Sequence, residues 1–323
     1  MATPSPPPAA AQPYQPRYID IGINLTDPVY SGLYHGTQRH AADLASVVQR
    51  AKDAGCMKLI VTGSDLAESE KALELAEQYP GTIYTTIGVH PCSSLQFTQH
   101  EAGAQELLDK LKHLALASRA EGHCVAFGEI GLDYDRLALC PKDVQLRYFA
   151  AQLDIAVQVN LPLFLHSRAA HADFLALLSK HADNLPKKGV VHSFTGTMAE
   201  MQDLVAAGWS IGVNGCSLKT AENLEVVKQI PIDRLMLETD GPWCEIRPSH
   251  ASAAHLGGWE EGRKWVKKEK FVEGALVKGR NESCMVRKVA WVVAGVRGES
   301  LEVVCEKVWG NTVRMFGLGE EGN

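Results

Sequence analysis

Gly128-Glu129-Ile130-Gly131-Leu132-Asp133-Tyr134-Asp135-Arg136 follows directly on the apolar Val125-Ala126-Phe127. A short apolar run that stops at a carboxylate reads as a buried strand delivering one polar side chain at its carboxyl end. Three more runs have this form: Leu163-Phe164-Leu165-His166, Val190-Val191-His192 and Leu235-Met236-Leu237-Glu238-Thr239-Asp240. Each is separated from the next by a segment of helical length. Four strands ending in His, Glu or Asp describe the mouth of an α/β barrel, the end where such folds carry their chemistry.

Working outward, eight β-rich runs can be counted, near Tyr18–Asn24, Met57–Gly63, Ile83–Val89, Val125–Ile130, Leu161–His166, Gly189–Ser193, Trp209–Val213 and Arg234–Thr239. Between them lie helical patterns. Leu146, Phe149, Ala150, Leu153, Ala156 and Val157 form the i, i+3, i+4, i+7 stripe of a helix packed on a sheet. Thr197-Met198-Ala199-Glu200 is a capping box whose helix stops at Gly208, and another helix runs from Asp65 to Tyr79 before Pro80. Ser300–Phe316 reads as a closing helix with Val304, Val308, Thr312 and Met315 on one face. The alternation predicts a closed parallel (β/α)₈ barrel over residues 18–317, with an open doubly wound sheet as the competing arrangement. The Ala- and Pro-rich residues 1–17 are expected to form a disordered tail, and residues 318–323 a short flexible end.

The 323 residues carry a formal charge of −6, so no global basic signature marks a protein that coats nucleic acid. A nuclease stays open, because bound metal ions place positive charge where a phosphate must sit. No apolar stretch approaches the roughly 20 residues that cross a bilayer. The tail lacks the apolar core of a secretory signal. Eight cysteines without a Cys-x-x-Cys pair read as reduced thiols. A soluble intracellular protein, cytoplasmic or nuclear, is therefore expected, with no membrane association and no obligate protein partner. Residues 260–288 concentrate nine basic side chains against five acids. They are either a solvated face or a basic rim on the substrate, since they follow the last strand.

Glu129, His166, His192 and Asp240 form a candidate ligand set of two imidazoles and two carboxylates. That set suits Mg²⁺, Mn²⁺ or Zn²⁺, with no thiolate to favour structural zinc. Up to two ions per chain are expected, Mg²⁺ first. Glu129 has two oxygens and is expected to bridge the ions, and Asp240 to orient or deprotonate the attacking water. Each residue could instead satisfy buried backbone or pair with Arg. For four at one barrel end that alternative would bury a costly cluster of ionisable groups.

The chain resembles the TatD-like metal-dependent deoxyribonucleases, in particular their eukaryotic branch, over roughly Arg17 to Phe316. The resemblance rests on Asp20-Ile21-Gly22-Ile23-Asn24-Leu25-Thr26-Asp27, Gly88-Val89-His90-Pro91, Gly128–Asp133, Pro162–Arg168, His192–Gly196, Glu238–Trp243 and Arg280-Asn281-Glu282. It implies a TIM barrel of the metallo-dependent hydrolase type, divalent metals at Glu129, His166, His192 and Asp240, and hydrolysis of DNA phosphodiesters, single-stranded DNA among them. Two departures stand out. Gly22 and Asn24 occupy the places of a His-x-His pair found in most of the superfamily, and Ser283 replaces the Pro of Asn-Glu-Pro. The loss of Pro frees a φ angle and is expected to touch stability more than chemistry.

His90, Arg168 and Asn24 are read as substrate-binding residues. His90 either donates to a scissile phosphate or pins its Gly-x-His-Pro turn. Arg168 either grips a phosphate in bidentate fashion or locks a neighbouring carboxylate. Trp243 either stacks on a base or packs at the rim. Asp133 and Arg136 are expected to pair with each other. Two other activities use or abandon the same residues: a hydrolase acting on an ester such as aminoacyl-tRNA, and a non-catalytic scaffold.

Overall fold

The computed structural model of the chain describes residues 14–260 and 262–319. Eight parallel strands run in sequence order: β1 Tyr18–Ile23, β2 Cys56–Val61, β3 Ile83–Ile87, β4 Cys124–Asp133, β5 Leu163–Arg168, β6 Gly189–Val191, β7 Ser210–Val213 and β8 Leu235–Leu237. The ends of the sheet meet. Asp240 N donates to Gly22 O at 2.8 Å, and Asn24 N donates to Gly241 O at 2.8 Å, so the residues after β8 complete a barrel against β1. This is the expected (β/α)₈ architecture rather than an open sheet. β4 runs to Asp133, three residues past the apolar run that announced it.

Helices return the chain between strands: α1 Leu44–Asp53, α2 Leu66–Gln78, α3 Ala104–Ala120, α4 Lys142–Val159, α5 His171–His181, α6 Met198–Ala206 and α7 Ala221–Gln229. The expected starts are built as their sequences dictate. Asp65 caps α2 by accepting from Glu68 N, and Thr197 and Glu200 form the reciprocal capping box of α6. α8 Val286–Arg297 and α9 Leu301–Phe316 follow, α9 capped by Ser300.

Period-two alternation sorts the strand residues into two apolar layers. Leu59, Val61, Phe127, Leu165, Val191 and Ile211 pack outward against the helices. Ile21, Ile60, Ala126, Phe164, Val190 and Met236 fill the barrel with Trp309 and Phe316 of α9, which close its amino-terminal end. Phe164 is fully buried, and its ring stacks on His192 at 4.5 Å. The barrel is a packed core with its polar chemistry confined to the opposite end.

Of the expected tail, residues 1–13 lie outside those described. Tyr14 and Arg17 are bound to Glu306, and Arg17 lies over Trp309. At the other end Leu318 is buried, and residues 320–323 lie outside those described. His40 is buried: its ring stacks on Phe271 at 4.3 Å and its Nε2 meets Tyr34 Oη.

Candidate metal centre

The Gly-Glu-Ile-Gly sequence has a steric cause. Gly128 and Gly131 have φ of +153° and +150°, where L side chains are disfavoured. A β-carbon at either position would collide with a backbone carbonyl of β5, that of Phe164 or His166. Close approach of β4 to β5 therefore requires glycine on both sides of Glu129, and it sets that carboxylate beside His166.

Glu129 Oε1 is the hub of the mouth. His192 Nε2 donates to it at 2.6 Å and His166 Nδ1 at 2.8 Å, while His90 Nε2 stands 3.4 Å away. The far nitrogens of the two closer rings also face carboxylates. His166 Nε2 lies 3.2 Å from Asp133 Oδ2, and His192 Nδ1 lies 3.4 Å from Glu238 Oε2. In metal-ligating histidines a carboxylate orients the nitrogen that does not bind the ion, a role for which Asp133 and Glu238 are placed.

Electrostatics agrees with the geometry. Burial pushes the Glu129 carboxyl up, but the positive histidines hold it well below the ordinary value. Burial lowers the His192 imidazole and the neighbouring Glu129 and Glu238 raise it well above its usual range; His166 is likewise raised by Asp133 and Glu129. His90 goes the other way: burial, aided by the two charged histidines, takes it to about 4 despite Glu129, so it is neutral.

Asp240 lies across the same cavity, at a left-handed φ of +51°. Ser193 and Ala169, which also follow barrel strands, share that strained conformation with φ of +48° and +51°. Strain of this kind collects where backbone must aim a functional group. Asp240 accepts from Asn24 Nδ2 at 3.2 Å and from Ser193 Oγ and Cys244 Sγ at 3.4 Å. Burial pushes its carboxyl up to about 6, with Glu238 and Glu129 adding to the rise and His192 opposing it.

A divalent cation fits this donor set. Three carboxylates, Glu129, Glu238 and Asp240, face the imidazoles of His166 and His192, each of which would give up a proton to bind an ion, and Glu238 Oε2 and His192 Nδ1, 3.4 Å apart, have no hydrogen-bond partner. Positive charge inserted among these oxygens relieves the repulsion. His90, Glu129 and His166 bring ring and carboxylate atoms within 4.8 Å of one another.

All seven residues singled out in the sequence line one cavity of about 770 Å³: Asn24, His90, Glu129, His166, Arg168, His192 and Asp240. Asn24 is there as a partner of Asp240. His90 does two things, since its Nδ1 accepts from Cys92 N and so pins the turn while Nε2 faces Glu129. Arg168 locks a carboxylate: its Nη2 is 2.9 Å from Asp133 Oδ2. That finding also corrects the expected Asp133–Arg136 pair, because Asp133 is taken by Arg168 and His166 within β5. Glu238, the first residue past β8, was missed as a site residue. Asn214, which donates to Ser193 Oγ and Glu238 Oε1, carried no sequence signal.

Residues 19–317 match the family described as TatD related DNase. The chain belongs to that family. It is 50% identical over 300 residues, covering 93% of this chain and 96% of the relative, to the protein named deoxyribonuclease Tat-D of Schizosaccharomyces pombe. It is 37% identical to the protein of that name in Saccharomyces cerevisiae, over 93% of this chain and 91% of the relative. The crystal structure of a TatD family hydrolase from Entamoeba histolytica superposes with a TM-score of 0.86 at 36% identity, over 94% of this chain and 99% of the other. The fold and the metal-dependent hydrolase class are thus common to the family.

Proposed function

We propose that this chain is a divalent-metal-dependent deoxyribonuclease that hydrolyses DNA phosphodiester bonds. The observation that carries this reading is the convergence of His166 Nδ1 and His192 Nε2 on one oxygen of Glu129, inside a cavity of about 770 Å³. Glu129, His166, His192 and Asp240 would hold up to two ions, with Glu129 shared. When bound, such ions supply positive charge to a phosphoryl oxygen and acidify water. Mg²⁺ is favoured, because carboxylates and few protein ligands are its usual coordination style. Mn²⁺ and Zn²⁺ are the alternatives.

The chain's own residues then have defined work. Asp240 accepts a proton from the attacking water as the water oxygen bonds to phosphorus and the bond to the leaving oxygen breaks, and the departing alkoxide takes up a proton from solvent to leave as the alcohol. Asn24, Ser193 and Cys244 fix the Asp240 carboxylate in orientation. Neutral His90 can donate Nε2–H to a phosphate oxygen, since Nδ1 is occupied as an acceptor. Arg168, with a side chain 40% exposed, holds Asp133 and keeps part of its guanidinium open to the cavity.

An intracellular site of action is supported by eight free cysteines; among the described residues no helix is long and apolar enough to cross a membrane. Labelled single- and double-stranded DNA, assayed beside an aminoacylated tRNA with Mg²⁺, Mn²⁺ or chelator, tests the activity. DNA cleaved only with metal is the expected result. Deacylation of the tRNA with DNA left intact would replace this reading with ester hydrolysis, and inertness towards all three would favour a scaffold.

A further inference from the structure

The metal cavity opens sideways into two grooves of similar size and opposite charge. One, of about 650 Å³, is reached past Arg168 and Asn223 and carries the carboxylates Asp135, Glu200, Glu222 and Glu225. Its two basic groups are already engaged, Arg168 by Asp133 and His171 by Asp203. The other, of about 670 Å³, is reached past Trp243, which lines both it and the metal cavity. This second groove holds Lys267, Lys268 and Lys278 with Tyr34, against the acids Asp27 and Glu269.

The lysines are presented by construction. Trp265–Val266 and Leu276–Val277 form a short parallel ladder, continued by Lys278 N donating to Val266 O at 2.9 Å. Lys267 and Lys278 therefore leave the ladder side by side, and both are exposed. Among the described residues neither has a carboxylate within ion-pair distance. Lys268 Nζ is held 4.8 Å above the Tyr34 ring, whose hydroxyl meets the buried His40. Trp243 is 54% exposed, and its amide donates to Asp240 O at 3.0 Å, so an open aromatic face stands at the threshold of the site.

We propose that this lysine groove is the binding track for the single-stranded part of a nucleic-acid substrate, with Trp243 as the platform on which a base stacks next to the scissile bond. The inference rests on the nuclease reading above and adds the direction in which the strand leaves the metal centre. Phosphates are drawn to the side of Lys267, Lys268 and Lys278 and repelled from the side of Glu200, Glu222 and Glu225. A row of cations beside an exposed aromatic ring is how proteins hold single strands without reading sequence.

The test is fluorescence anisotropy of the full chain with a nuclease-resistant phosphorothioate oligothymidylate of about 12 residues, across a salt series in Mg²⁺. K267Q/K268Q/K278Q should bind at least about tenfold more weakly at low salt, and its log–log salt slope should fall by about 2, at roughly 0.7 for each phosphate that is no longer neutralised. W243A should weaken binding about tenfold without changing the slope. E222Q/E225Q, in the opposite groove, should bind no more weakly than wild type. Wild-type affinity and slope in the lysine variant would overturn the proposal, as would tighter binding of a duplex than of the single strand. Cleavage of an ordinary oligonucleotide, followed in parallel, separates the two claims. Lysine-dependent binding without cleavage removes the nuclease reading alone, and cleavage indifferent to the lysines removes the groove alone.

Discussion

Glu238 fills the space that a side chain at position 22 would need. A β-carbon on Gly22 would stand 2.8 Å from Glu238 Oε2 and 3.2 Å from Phe164 Cζ. A side chain at position 22 therefore requires the Glu238 carboxylate to shift. Gly22→Ala should lower stability by about 1–3 kcal/mol, the usual cost of overpacking. In a double-mutant cycle with Glu238→Ala the loss at position 22 should shrink, because the two share one volume. Chemical denaturation of the four proteins measures the coupling; strictly additive losses would show that the carboxylate yields freely.

Asp133 and Glu238 each orient the far nitrogen of a histidine that faces Glu129. Replacing either by its amide keeps the shape and removes the charge that fixes the ring. Asp133→Asn and Glu238→Gln should each weaken divalent-metal affinity about 10- to 100-fold, the scale seen for such supporting carboxylates. Competition with a chromogenic chelator reads this directly. Unchanged affinity in both variants would mean that packing alone holds the rings.

Asp240→Asn should lower the turnover of DNA by about 10² or more, as expected for a proton acceptor, with a much smaller change in strand affinity. Single-turnover hydrolysis and anisotropy in Ca²⁺ distinguish the two effects. Lost affinity with normal cleavage at saturation would assign Asp240 to binding instead.

The Arg280-Asn281-Glu282 motif proves to be a brace. Arg280 and Arg50, both buried, bond to Asp43 and Glu282, while Asn281 Nδ2 donates to Thr239 O at 2.9 Å beside Asp240. Arg280→Ala should cost about 3–5 kcal/mol, since it strands buried carboxylates. Burial raises the Asp43 carboxyl, but Arg280 and Arg50 more than offset this and leave it below its ordinary value. Its contribution is therefore complete above the unfolded-state pKa of about 4 and fades as pH falls through the lower folded value. The stability gap between wild type and Asp43→Asn should be full at neutral pH and close under acid. A gap independent of pH would contradict the assignment.

The barrel was legible because each strand is an apolar run bounded by polar punctuation, and buried parallel strands are written that way. Glu129, His166, His192 and Asp240 were legible for the same reason, each ending such a run. What escaped lies between elements. Arg168 and Asp133 meet across β4 and β5, and register between strands is not written in either one. Lys267 and Lys278 are eleven positions apart in the chain; only the two-residue ladder of Val266 and Val277 makes them neighbours.

The most direct test of the metal centre is equilibrium dialysis of wild type and Glu129→Gln against Mn²⁺, with hydrolysis of labelled DNA followed on the same samples. The amide keeps the shape of the side chain between Gly128 and Gly131 but removes the charge on which His166 and His192 converge. Glu129→Gln should melt as a folded protein, hold metal at background level and leave DNA intact, whereas wild type binds metal and cleaves. A variant that retains wild-type metal content and turnover would contradict the assignment of Glu129 as the hub of the site.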